Sequence, residues 1–334
     1  MSKKKALVLG GTGAQGAYMV PELSAMGYQV DALSLDDVKS TDSNVQYIQA
    51  NAKDDRFLRG MLRNGYDVVI DFMYYLPAEL AARYEMLLDN TGRYIFLSSY
   101  RVYAGAQPIT EESPRLLDIS DDCAFLAHKG TEYSLVKALD ENIIRSSKYD
   151  NWIIVRPSPI YSNRMFKLIT QEADVVVYRA RKKLPILLPS TAKSVMGTMI
   201  WAGDVAKMYG RLVENPSAVK QIYTIGTAEH YTWGEITEYF RDIIGLETIW
   251  VDNDTYLSLF NPAAYDFMDY QLKYDRLFNR VIDNSKILNA TGLKQTDLMP
   301  LKQGLQRQLS ALPENITWNH NPINDRMDEY ISKH

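Results

Sequence analysis

The stretch that most constrains this chain is Gly10-Gly11-Thr12-Gly13-Ala14-Gln15-Gly16, which follows the apolar run Ala6-Leu7-Val8-Leu9 and opens a helix-like segment closed by Gly27. Strand, glycine turn and helix in that order leave few folds open. Gly10, Gly13 and Gly16 fall in the spacing GxxGxxG, and Gly11, Gly13 and Gly16 in GxGxxG. In both spacings the first glycines allow a tight turn, the middle one lets backbone approach a pyrophosphate, and the last lets helix pack on strand. The helix start then offers the phosphates unpaired N–H groups and a partial positive charge. A glycine turn can also be a loop that binds nothing; its place at the first strand-helix junction points to a dinucleotide site.

At 334 residues the length suggests about two domains, and 46% apolar residues are enough for an ordinary core. A net charge of -4 gives no electrostatic case for nucleic acid or an anionic membrane. No apolar run approaches the ~20 residues of a membrane span, and no signal-peptide core precedes the first strand. Cys123 is the single cysteine, which rules out an intramolecular disulfide, and the four histidines show no metal-ligand spacing. The expectation is a cytoplasmic protein with a small-molecule substrate, no metal, no nucleic acid and no membrane.

Apolar runs recur at Ala6-Leu9, Val30-Leu35, Val45-Ile48, Val68-Phe72, Tyr94-Leu97 and Trp152-Val155, with helix-like segments between most of them. This alternation predicts an α/β fold, a parallel sheet doubly wound with right-handed crossovers. Helices are expected over 54–64, 77–89 (opened by Pro77), 131–147, 201–214 and 233–244, and a further strand over 222–225. The nucleotide-binding body then spans 1–160, with 195–228 returning to it. Residues 161–194 and 229–334 form a smaller substrate-binding lobe.

Two places carry chemistry. Ser98-Ser99 ends the Tyr94-Leu97 strand, where an open α/β sheet exposes residues to its ligand crevice. Tyr133 and Lys137 stand four apart on the long helix and share a face. A lysine ammonium near a tyrosine favours the phenolate, and a tyrosine so tuned can exchange a proton while hydride leaves the neighbouring carbon. Ser99 would hold the substrate oxygen. The chain has 23 tyrosines, and Tyr178 with Lys182 repeats the spacing. Context separates the two pairs: Tyr133 follows the serine pair inside the nucleotide-binding half, whereas Tyr178 lies in the irregular lobe.

The set GGTGAQG, FLSSYRVYAG, YSLVK, VRPSPIY and AGDVAKM, with DNSKI from Asp283 to Ile287, resembles the extended short-chain dehydrogenase/reductases, the NAD-dependent epimerase/dehydratase family. The resemblance implies a Rossmann domain, a bound NAD, a likeness to homodimers joined through the helices at Pro77-Asp89 and Thr131-Ser147, and catalysis by Ser99, Tyr133 and Lys137. By position it assigns Gly10, Gly13, Ala14, Gln15, Gly16, Ser34, Asn51, Ala52, Phe72, Tyr133, Lys137 and Pro157 to the cofactor. Tyr74, Tyr100, His128 and Arg164 are its substrate-side candidates.

The chain also departs from that pattern. Ser34 stands where NAD users often carry an acid, but no arginine follows it, and Asp36 and Asp37 would repel a 2′-phosphate; the balance favours NAD over NADP. Bulky Phe72-Met73-Tyr74-Tyr75 follow the fourth strand, where small residues are common. Pro159 and Gly197 occupy positions where nucleotide-sugar epimerases place an asparagine and an arginine. The leading expectation is an epimerase/dehydratase-like enzyme using transient hydride transfer at a hydroxyl-bearing carbon of a sugar or sugar-like substrate. A net dehydrogenase/reductase, a non-catalytic cofactor-binding regulator and an RNA-binding relative are the alternatives.

Overall fold

The computed structural model describes residues 3–334. Seven strands, Lys5–Leu9 (β1), Gln29–Ser34 (β2), Val45–Gln49 (β3), Val68–Asp71 (β4), Tyr94–Leu97 (β5), Trp152–Pro157 (β6) and Gln221–Ile225 (β7), form one sheet in the order β7-β6-β5-β4-β1-β2-β3. Every neighbouring pair is parallel, as the alternation of strands and helices predicts. The run at 222–225 returns to the body as its edge strand β7.

Side-chain alternation along each strand serves both faces of the sheet. Ala6 and Val8 of β1, with Ile70 and Val155, meet Met19, Val20 and Leu23 of the helix Gly16–Ala25 (α1) on one face. Leu7 and Leu9, with Val69 and Phe96, meet Leu58 and Leu62 of Asp55–Leu62 (α2) and Leu80 and Leu87 of Pro77–Asp89 (α3) on the other. Because every connection crosses from one strand end to the other, the C-terminal strand ends gather on one rim. The chain winds outward in opposite directions from β1 and β4, and the crevice at such a switch point is where ligands bind.

Local chemistry sets the helix starts. Pro77 opens α3, where its missing N–H costs nothing, and Glu79 reaches back to the Leu76 N–H at 2.8 Å. Glu132 caps the helix Tyr133–Arg145 (α4): its Oε2 accepts from the N–H groups of Ser134 (2.7 Å) and Leu135 (3.0 Å).

A second core lies beyond β6. Val176 of the helix Ala173–Lys182 (α5), Leu187, Trp233 and Phe240 of Trp233–Ile244, Leu305 and Met327 pack together. Beside them the strand Ile186–Pro189 pairs in parallel with Thr248–Val251. Between these segments and the C-terminal rim of the sheet lies a cleft of about 860 Å³. No helix among the described residues is long and apolar enough to cross a membrane.

Candidate active site

The glycine turn folds as its spacing requires. Gly10 has φ +85, open to glycine without strain, and the N–H groups of Gly10 and Gly11 both donate to the Leu33 carbonyl at 3.0 and 2.9 Å. A Cβ on Gly16 would collide with the Gly10 carbonyl oxygen, so helix and turn touch as backbone. No side chain caps the start of α1, and Gln15 at the cap turns its Oε1 to the Tyr209 hydroxyl at 3.2 Å. Free N–H groups beside a turn without side chains fit a dinucleotide's pyrophosphate. Ala14 and Gln15 lie on this turn, and Gln15 also lines the cleft.

The residues around the turn fall into place by distance. Ser34 ends β2; its Oγ meets the Thr12 hydroxyl and accepts the Asp36 N–H at 3.0 Å, while Thr12 also donates to Asp36 Oδ2 at 2.6 Å. The carboxylate that Ser34 lacks is thus brought back to the turn by Asp36. Phe72 stacks on Tyr209 with centroids 5.9 Å apart, and Phe72 and Met73 both flank Gly10. Asn51 accepts the Lys53 N–H at 2.9 Å, and Ala52 is buried beside it. Of the bulky run after β4, Tyr75 turns away into the core, where its hydroxyl donates to the buried Asp71 at 3.0 Å.

The two serines separate. Ser98 donates to Glu141, which also takes both arms of Arg156, at 2.8 and 2.6 Å. Ser99 opens on the cleft beside Tyr133 and Pro157. Burial raises the Tyr133 phenol above its ordinary value, against the pull of Arg101 and a hydrogen bond with Ser99, while Asp275 and Glu132 add to the rise. The Arg101 guanidinium lies 5.1 Å from the centre of the Tyr133 ring. Helix spacing suggests that Lys137 acts on this phenol, but the Lys137 Nζ donates instead to the Leu97 carbonyl at 2.7 Å, and burial lowers its pKa. Tyr74 stacks on Tyr133, with centroids 5.8 Å apart and planes 16° apart.

Four sequence candidates sit differently from expectation, the first being Tyr74, which stacks on Tyr133 and is not part of the cleft wall. His128 packs against the rings of Phe267 and Tyr270 at 6.1 and 5.5 Å and is not part of the cleft wall. Arg164 does not reach the cleft either; its Nη1 donates to the Thr12 carbonyl at 3.0 Å, which sets it over the glycine turn. Tyr100 borders the cleft but is buried, and its hydroxyl donates to Asp275 Oδ1 at 2.6 Å. Tyr178 and Lys182 lie on α5 outside the cleft wall. Among the described residues no group of His, Cys, Asp and Glu is disposed to hold a metal.

Sequence reasoning missed a cluster built on Asp275. This buried carboxylate pairs with Arg101, Arg276 and Arg280. Asp275 and Arg276 end a π-helical turn, Leu272–Arg276, in which the Leu277 N–H donates to the Leu272 carbonyl at 2.9 Å. Arg276 Nε donates at 2.6 Å to the carbonyl of Ile169, a β-branched residue held at φ +56. Only the arginine after Ser99-Tyr100 was visible in sequence, and nothing there marks its partners more than 170 positions away.

Residues 6–226 match the model of the NAD dependent epimerase/dehydratase family. The chain belongs to that family. It is an enzyme of the short-chain dehydrogenase/reductase type, and its cofactor is NAD. No curated protein matches it in sequence. Among solved structures it is similar to the epimerase Mth375 of Methanothermobacter thermautotrophicus, with 14% identity, TM-score 0.71, and 99% of this chain and 95% of that one covered. It is also similar to the UDP-glucose 4-epimerase of Thermus thermophilus in complex with NAD, with 16% identity, TM-score 0.64, and 93% and 100% covered. A third is a UDP-glucuronic acid 4-epimerase variant from Bacillus cereus in complex with NAD and a fluorinated UDP-glucuronic acid, with 14% identity, TM-score 0.67, and 92% and 98% covered. At these identities the likeness is one of fold.

Proposed function

We propose that this enzyme inverts or eliminates at a hydroxyl-bearing carbon of a sugar or sugar-like substrate, by removing a hydride and returning it within one turnover. The observation that carries the reading is that Ser99 and Tyr133 open together on a cleft that also reaches Gln15 of the glycine turn and Pro157 at the end of β6. NAD supplies the hydride acceptor when bound. Gly10, Gly13, Ala14, Gln15 and Gly16 hold its phosphates, and Asp36 beside Ser34 holds the adenosine ribose. Asn51, Ala52 and Phe72 line the adenine side. Ser99 Oγ binds the substrate oxygen, and Tyr133 Oη, in the phenolate form that Arg101 and Ser99 favour against burial, takes that oxygen's proton and later restores it. Lys137, anchored on the Leu97 carbonyl, positions the ribose next to the nicotinamide, and Tyr74 covers the Tyr133 ring. We further propose a cytoplasmic homodimer, joined through α3.

Tyr133→Phe tests the assignment. Turnover should fall by at least about a hundredfold, the usual size of a lost general acid/base, while bound NAD is retained. Turnover within a few-fold of the parent would remove Tyr133 from the mechanism.

A further inference from the structure

The ion-pair cluster that backs the cleft wall beside Tyr133 carries more positive than negative charge. Arg101, Arg276 and Arg280 meet only Asp275 and Glu132, so three guanidinium groups face two carboxylates. Arg276 and Arg280 are almost wholly buried, and Arg101 is partly open. Arg101 gives Nη2 to Glu132, and Arg276 gives Nε to Ile169 and Nη1 to Tyr100 and Asp275. Among the described residues, Nη1 of Arg101 and Nη2 of Arg276 donate to no protein acceptor, and both arginines line the cleft with Ser99 and Tyr133.

An excess cation in a water-poor wall is costly until an anion balances it. The arrangement is also stiff, since Arg276 is fixed through the strained Ile169 carbonyl, the Tyr100 hydroxyl and Asp275. Two fixed planar forks match an oxyanion better than a neutral hydroxyl. Resting on the hydride-transfer reading above, we infer that the substrate carries an oxyanion group, a carboxylate or a phosphate, close to the carbon that reacts, and that Arg101 and Arg276 bind it. The two arginines are then specificity residues of the same site. Tyr100, Asp275 and Glu132 are positioning residues that act through them.

Calorimetry on the NAD-loaded protein tests this with matched probes: glucose, glucuronate and glucose 6-phosphate, and separately UDP-glucose and UDP-glucuronate. In at least one set the anionic probe should bind roughly ten- to hundredfold tighter than its neutral partner, as hydrogen bonds to a charged group allow. Whether glucuronate or glucose 6-phosphate leads distinguishes carboxylate from phosphate. Arg101→Met should abolish the preference, and Arg101→Lys, which keeps the charge but loses the fork, should retain part of it and serves if the first variant does not fold. Equal binding of charged and neutral probes, no binding of any, or a preference that survives Arg101→Met overturns the inference. Absorbance of NADH on the protein after probe addition reads the hydride step separately. An anion preference without any hydride step would leave this inference standing and remove the catalytic reading.

Discussion

At the scale of single residues the site is governed by which polar groups find partners. Asp140, three positions after Lys137, is fully buried, and neither of its carboxylate oxygens has a hydrogen-bond partner among the described residues. Burial pushes its carboxyl up to about 7, against the pull of the Lys137 ammonium. Folded Asp140 therefore keeps its proton to a higher pH than the ordinary aspartate of about 3.9 in the unfolded chain. The folded state binds more protons between those values, so the stability Asp140 contributes is complete below about pH 4 and is lost as pH rises towards about 7. Urea unfolding at several pH values should show the parent losing stability relative to Asp140→Asn across that window. Parallel pH profiles for the two proteins would refute the assignment. The same question of partners explains what sequence could tell about the serines. Position marked Ser98-Ser99 as a pair at a strand end, but only the folded chain shows that both border the cleft and that the Ser98 hydroxyl is spent on Glu141, 43 positions on, whereas Ser99 Oγ accepts the Arg101 N–H at 3.2 Å.

At the scale of elements, local rules set some boundaries and long-range contacts the rest. Pro77 and Glu79 sit at the start of α3, and the helix expected there runs over the same residues, 77–89. The long helix expected over 131–147 begins instead at Tyr133, because Glu132 is its cap. The π-helical turn at Leu272–Arg276 and the left-handed Ile169 obey no local preference; both are held by the Arg276 guanidinium meeting the Ile169 carbonyl. The proposed homodimer also belongs at this scale. On α3, Ala78, Ala82, Glu85 and Asp89 recur at helical spacing on the solvent side with Ala81 between them, small enough near the helix start for a second helix to approach closely. On α4 the exposed positions are only Asn142 and Arg145, so α3 is the helix that offers a contact surface. Sedimentation at micromolar concentration should give a dimer, and Ala82→Arg should shift it to monomer. A parent protein that sediments only as monomer would count against the interface.

At the scale of the whole molecule, the parallel sheet is legible because its central strands are apolar on both faces and alternate with helices, a pattern written over the first half of the chain. The closing contacts between that sheet and the later segments are not legible, since they join residues far apart in sequence. Arg164 donates to the Thr12 carbonyl at 3.0 Å, across the glycine turn. Tyr18 of α1 donates to Gln308 Oε1 at 2.6 Å, and the same oxygen accepts the Asn163 N–H at 3.0 Å. Segment 162–164 is thus fastened over the glycine turn, and we propose that cofactor release requires these bonds to part. An enzyme that returns its hydride within each turnover suffers nothing from slow release, whereas a net dehydrogenase must exchange cofactor every cycle. The purified protein should therefore carry NAD that is freed on denaturation, and should turn substrate over with no added nucleotide. Arg164→Met, which loses a charged donor worth about 1.5–3 kcal/mol, should release NAD at least roughly tenfold faster in a dilution or gel-filtration assay. Cofactor-free protein that consumes stoichiometric NADH or NAD along with substrate would replace the epimerase-type reading with that of a net dehydrogenase. An unchanged release rate in Arg164→Met would show that the bond to Thr12 does not gate the cofactor.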